Sequence, residues 1–170
     1  MPNPEWLNSL PADDAAKELL QCCGSKRWAR QVADGRPYQN ITDIVARANE
    51  IWWSLDRDDW LEAFRSHPKI GEKKSAETVS AQAQQWSGHE QAGVNTASTE
   101  TTGALATLNR AYEQKFGYIF IICATGKSSG EMLAALRERI EHDAAEELPI
   151  AAAEQSKITE LRLKKLLTTP

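Results

Sequence analysis

The sequence predicts an all-α protein, a single irregular multi-helix domain with a buried extended connector near residues 118–124. Apolar residues recur at helical rather than alternating spacing along most of the chain, and polar caps and Gly or Pro stops separate the periodic runs. One short apolar run alone reads as extended, and no second segment offers it a sheet partner. At 170 residues and 18.9 kDa, one domain over 1–170 buries a core that needs neither disulfide nor structural metal.

Taken in order, Ser9 caps a first helix with Pro11 in its opening turn, turning Ala15, Leu19, Leu20 and Cys23 inward until Gly24. Ser25 starts a short second helix carrying Trp28 and Val32, ended by Gly35 and Pro37. From Thr42 the row Ile44, Val45, Ala48, Ile51, Trp52 and Leu55 marks a third helix. The Asp56 to Asp59 cluster opens a fourth, whose Trp60, Leu61 and Phe64 lead to His67. Gly71 to Lys74 reads as a loop, and Ser75 to Trp86 is Gln-rich with a weak helical pattern.

Leu105, Leu108, Tyr112 and Phe116 share one face of a longer helix closed by Gly117. Ser128 with Glu131 forms a capping box for Met132, Leu133, Leu136 and Ile140. Tyr118 to Ala124 is the connector between them, buried and able to offer backbone amides to a ligand. The last third, Asp143 to Leu167, contains Pro149, which predicts a kink or a break between two helices.

Composition narrows the function classes. A net charge of -4 with no long basic stripe argues against a nucleic-acid surface. No apolar run is long enough for a bilayer, and Met1-Pro2-Asn3-Pro4-Glu5 lacks the basic flank and apolar core of a signal peptide. Three cysteines, two of them adjacent, suit core packing in a reducing cytoplasm rather than a disulfide framework.

Three places hold residues suited to chemistry. In His67-Pro68-Lys69-Ile70-Gly71 the proline disfavours the α conformation at His67, so the helix stops there and the imidazole leaves the helical ladder. The carbonyls of that helix end favour a protonated ring, which gives either a simple helix stop or a proton donor. In Ser87-Gly88-His89-Glu90-Gln91, Ser-x-x-Glu is either a capping box or an acceptor and an amide held at a helix start for a polar ligand. Arg162 lies in a row with Ile158 and Leu166, its stem among apolar neighbours. Its head either snorkels to water or grips a carboxylate or planar carbonyl group. There is no HExxH, CxxC pair or GxSxG, and the three histidines lack zinc spacing. His142 reads as a surface residue at a helix end.

Phe64-Arg65-Ser66-His67-Pro68-Lys69-Ile70-Gly71, Trp86-Ser87-Gly88-His89-Glu90-Gln91-Ala92-Gly93, Leu108-Asn109-Arg110-Ala111-Tyr112 with Lys115-Phe116-Gly117, and Lys157-Ile158-Thr159-Glu160-Leu161-Arg162-Leu163 follow in order along the chain. In these motifs the sequence closely resembles the 2-oxo-4-hydroxy-4-carboxy-5-ureidoimidazoline (OHCU) decarboxylases of urate degradation. The resemblance implies an all-helical homodimer that turns OHCU into (S)-allantoin and carbon dioxide without metal or organic cofactor; composition adds that it is cytoplasmic and binds neither nucleic acid nor membrane. By motif it makes His67, Glu90 and Arg162 catalytic. It places Pro68, Ser87 and Gln91 at ligand-contacting positions, with the backbone of Phe120, Ile121, Ile122 and Cys123. Ile119 departs from the proline common in that family, which leaves the choice of ligand-facing amides open. From the residues alone, a catalytically silent helical binding module and a metal-assisted ureide hydrolase using His67, His89 and Glu90 stay open beside it.

Overall fold

The computed structural model describes residues 3–68, 86, 90 and 98–168. Among them are eight helices: α1 Glu5–Ser9, α2 Ala12–Leu19, α3 Lys26–Asp34, α4 Ile41–Ser54, α5 Arg57–Arg65, α6 Thr99–Phe116, α7 Ser129–Arg139 and α8 Ala144–Thr168. The fold class is all-α, as the periodicity predicts. No helix among the described residues is long and apolar enough to cross a membrane. The expected loop at Gly71 to Lys74, and Ser75 to Trp86 apart from Trp86 itself, lie outside the described residues.

Caps set most boundaries. The Ser25 side chain accepts the Trp28 N–H, Asn40 that of Asp43 and Ser98 that of Thr101, each satisfying a donor the helix itself leaves open. Ser128 and Glu131 form the expected capping box, and Gly117 closes α6 at φ 84°, where a side chain would be strained. Asp56 Oδ1 accepts the Asp59 N–H at 3.1 Å and opens α5.

Four expectations change. Ser9 ends α1 instead of capping α2: its hydroxyl donates back to the Trp6 carbonyl at 2.7 Å, and Pro11 stands at the α2 N-cap. α2 stops at Leu19, before Gly24, and leaves Leu20 half-buried at its C-cap. On α6 the buried row is Leu105, Asn109, Tyr112 and Phe116, with Leu108 half-buried beside it. Of the kink or break expected at Pro149, the break does not occur, because α8 runs as one helix over 25 residues and carries the proline on an exposed position near its start.

The chain divides into two compact units, Met1–Ala63 with Ser156–Pro170, and Phe64–Gln155. In the first, α3 packs against α2 and α4, and Trp28 is fully buried with its indole N–H donating to the Ala48 carbonyl at 3.0 Å. In the second, α6 packs against α7 over an aromatic cluster. There the Tyr112 ring lies 4.6 Å from Phe116 and edge-on to Phe120 at 5.3 Å, while Phe64 lies 5.3 Å from Tyr118.

Candidate active site

His67 sits where α5 runs out. The helix ends at Arg65, the His67 N–H still reaches the Phe64 carbonyl at 3.2 Å, and Pro68 stands outside the helix. The imidazole is half-buried, and its Nε2 lies 2.6 Å from Oε1 of Gln155 on α8. Gln155 is wholly buried, so its amide must find partners within the protein. An amide oxygen only accepts, so Nε2 carries the hydrogen in this pair.

Next along α8, Glu154 ties down the connector. Its Oε1 accepts the Cys123 N–H at 3.2 Å. The Cys123 carbonyl accepts from Lys127 Nζ at 2.9 Å, and the Ile121 carbonyl from Arg139 Nη1 at 2.6 Å. Phe120, Ile121, Ile122 and Cys123 are all buried outside any helix, and among the described residues no strand lies alongside, so side chains take over the pairing a sheet would provide. Burial is the chief cause that pushes the Cys123 thiol above its ordinary range, and the negative charges of Glu154 and Glu90 add to it.

Arg139 is itself held by buried groups. Its Nη2 and Nε donate to Glu147 Oε2 at 2.6 and 2.9 Å, and its guanidinium stacks 4.5 Å from the Phe120 ring centroid. Tyr112 donates to the same carboxylate oxygen, and His142 Nδ1 lies 3.1 Å from Glu147 Oε1. His142 therefore anchors to a buried carboxylate rather than standing as a simple surface residue. Burial foremost, with that carboxylate, pushes the Tyr112 hydroxyl well above the usual phenol range.

Of the other sequence-derived candidates, Glu90 is buried, in helical backbone, and belongs with His67 and the connector to the second unit. Pro68 is half-buried. Ser87, His89 and Gln91 lie outside the described residues, and with them the Ser87 capping-box alternative for Glu90. Arg162 belongs to the first unit and is 3% exposed, so its head does not reach water as a snorkelling arginine's would. Its Nη1 makes a long 3.5 Å contact with the Gln21 carbonyl. The guanidinium also acts on Cys23, whose thiol burial pushes up to about 12 against the opposing pull of a Thr159 hydrogen bond and of Arg162. Among the described residues, no three His, Cys, Asp or Glu side chains gather as a metal site would require.

A family model described as OHCU decarboxylase matches residues 8–164. The chain belongs to the OHCU decarboxylase family. It is 42% identical over 152 residues to a bifunctional uric acid degradation protein of Arabidopsis thaliana, covering 89% of this chain and 47% of the relative, so it spans about half the length of that protein. It is 31% identical over 145 residues to the OHCU decarboxylase of Amia calva, covering 84% of this chain and 81% of that one. A crystal structure of an OHCU decarboxylase in the presence of (S)-allantoin superposes with a TM-score of 0.76 at 39% identity, over 89% of this chain and 98% of that one.

For this member of the OHCU decarboxylase family, sequence reasoning overlooked Glu154, Gln155 and Arg139. A signal existed: Gln155, Thr159 and Arg162 recur at i, i+4 and i+7 of α8, a buried polar row among Ala151, Ala152, Ile158 and Leu163. Arg139, the last residue of the charged run Arg137-Glu138-Arg139, offers no such pattern.

Proposed function

We propose that this chain decarboxylates OHCU to (S)-allantoin and carbon dioxide without metal or organic cofactor. The observation that carries the reading is the family match, which runs from residue 8 to 164 and takes in His67, Glu90 and Arg162 in order. The names of relatives in uric acid degradation, and the related enzyme crystallised with (S)-allantoin, support the same substrate and product. We treat residues 1–170 as one functional domain on the same ground.

The substrate explains why the protein's task is small. Breaking the bond from C4 to the carboxylate leaves an electron pair at C4, and the adjacent C5 imine takes it up. The imine nitrogen gains a proton as it does so and an enediol-like intermediate results; this loses the O4 proton and gains one at C5 to become neutral allantoin, so that one proton is taken up overall for each carbon dioxide released. Other decarboxylases borrow such an electron sink from a cofactor. The protein orients the ring and moves protons. In this reading His67 exchanges a proton near the C4 hydroxyl, Glu90 orients or deprotonates polar ring groups, and Arg162 balances negative charge on the ring oxygens or ureido end. Pro68, Ser87, Gln91 and the backbone from Phe120 to Cys123 surround the ring. The reading further makes the protein a cytoplasmic homodimer, and its three buried cysteines, none of them in a disulfide, suit a reducing compartment.

The test is to generate OHCU in situ from urate and to follow its decay with protein before and after exhaustive chelation. We expect OHCU to disappear far faster with the protein present, at the same rate in both samples. Decay no faster than in buffer would sink the proposal. Turnover lost on chelation and restored by zinc would replace it with metal-assisted chemistry.

A further inference from the structure

We propose that Gln155 is a positioning residue for His67: its buried amide oxygen holds the Nε2–H of the imidazole, fixes the ring tautomer and puts the basic lone pair at Nδ1. The role of His67 in proton transfer rests on the function proposed above, whereas the tautomer is a property of the protein alone.

The geometry carries the assignment. The Nε2 to Oε1 separation is 2.6 Å, short for a hydrogen bond from nitrogen to oxygen. Gln155 is 0% exposed and sits within the longest helix among the described residues, so its amide has little freedom to swing aside. His67 by contrast lies beyond the end of α5, followed by Pro68, where its own backbone leaves ring orientation weakly set. A histidine that exchanges protons needs its second nitrogen pinned, because the hydrogen bond at one nitrogen decides which tautomer the other presents. Gln155 supplies that bond without a charge. The neighbouring Glu154 holds the Cys123 amide, so consecutive residues of α8 fix both the imidazole and the connector. A neutral acceptor lets the ring cycle between neutral and protonated forms while Nε2 keeps its hydrogen in both.

Nitrogen-15 spectra of the full chain, with the His67 ring signals assigned by their loss in His67→Asn, read the tautomer directly. At a pH where the ring is neutral, we expect Nε2 to carry the hydrogen and Nδ1 to show the unprotonated shift. In Gln155→Leu, similar in volume but without an acceptor, we expect the two tautomers to average and kcat to fall roughly 10-fold or more with little change in KM, the lower end of what misplacing a proton-transfer group costs. Gln155→Glu keeps the acceptor and is expected to keep the Nε2–H signature; it carries the comparison if the leucine variant does not fold. Hydrogen on Nδ1 or averaged tautomers in the unmodified protein would overturn the assignment, as would a folded Gln155→Leu with unaltered spectrum and turnover. A fixed Nε2–H in a protein that leaves OHCU untouched supports the positioning role and removes the functional reading instead.

Discussion

His67 and Arg162, proposed for proton transfer and charge balance, sit in opposite environments. The imidazole is half-buried just beyond a helix end. The guanidinium is almost wholly removed from solvent, where its charge acts at greater strength and its fork suits a planar anionic partner. The same burial acts on a group with no assigned part in the reaction. Cys23, with its thiol pushed up to about 12 from an ordinary 9.0, keeps its proton in the folded state long after the unfolded chain has lost it. Its contribution to stability is therefore complete below about pH 9 and is lost as the pH rises from there toward 12. Urea midpoints measured at pH 8 and pH 10.5 should fall between the two, and Cys23→Ala should make the fall shallower. An equal fall in the variant would show that Cys23 is not the group responsible.

At the scale of the element, α8 departs furthest from what its residues suggest. Pro149 cannot donate to the Ala145 carbonyl four residues before it, and an interior proline costs a helix about 3 kcal/mol in isolation. The helix nevertheless continues, since its first turn is secured by Asp143, whose Oδ1 accepts the Glu146 N–H at 2.7 Å, and Glu147 is locked to Arg139. Pro149 is exposed, so Pro149→Ala restores the missing bond without disturbing the core. Allowing for the stiffness proline lends the unfolded chain, the gain should be about 1–2 kcal/mol. A melting temperature higher by a few degrees checks this, and a lower one contradicts it. Caps and closures with side-chain signatures, at Ser25, Ser128 and Gly117, were legible in the sequence because a local interaction fixes each. Ser9 misled because its hydroxyl turns back to the Trp6 carbonyl instead of forward to α2, and no break occurs at Pro149 because α8 is already capped at Asp143 before the proline. The connector was legible as buried and outside any helix, but not its fastenings, since Arg139 to Ile121 and Glu154 to Cys123 bridge 18 and 31 positions. Of the site, His67, Glu90 and Arg162 stood out through local motifs. Gln155 did not, because what marks it is an imidazole 88 positions away.

At the scale of the whole molecule, the family match covers residues of both compact units, and stereochemistry is the property that a folded site adds to a reaction the substrate can undergo unaided. In water the planar intermediate meets a proton on either face and gives both hands of allantoin. An enclosed site that excludes bulk water and presents one proton donor gives a single hand. His67→Asn has a side chain that carries no proton at neutral pH, and Pro68 still ends the helix, so the variant should keep its helicity while its turnover falls by roughly 100-fold or more. The most direct measurement is the circular dichroism of allantoin formed from urate through OHCU, recorded with the unmodified protein, with His67→Asn and with neither. The expected result is rapid formation of (S)-allantoin with the unmodified protein and near-racemic, slow product with the folded variant; racemic allantoin from the unmodified protein, or full (S) selectivity and speed from His67→Asn, would contradict the account.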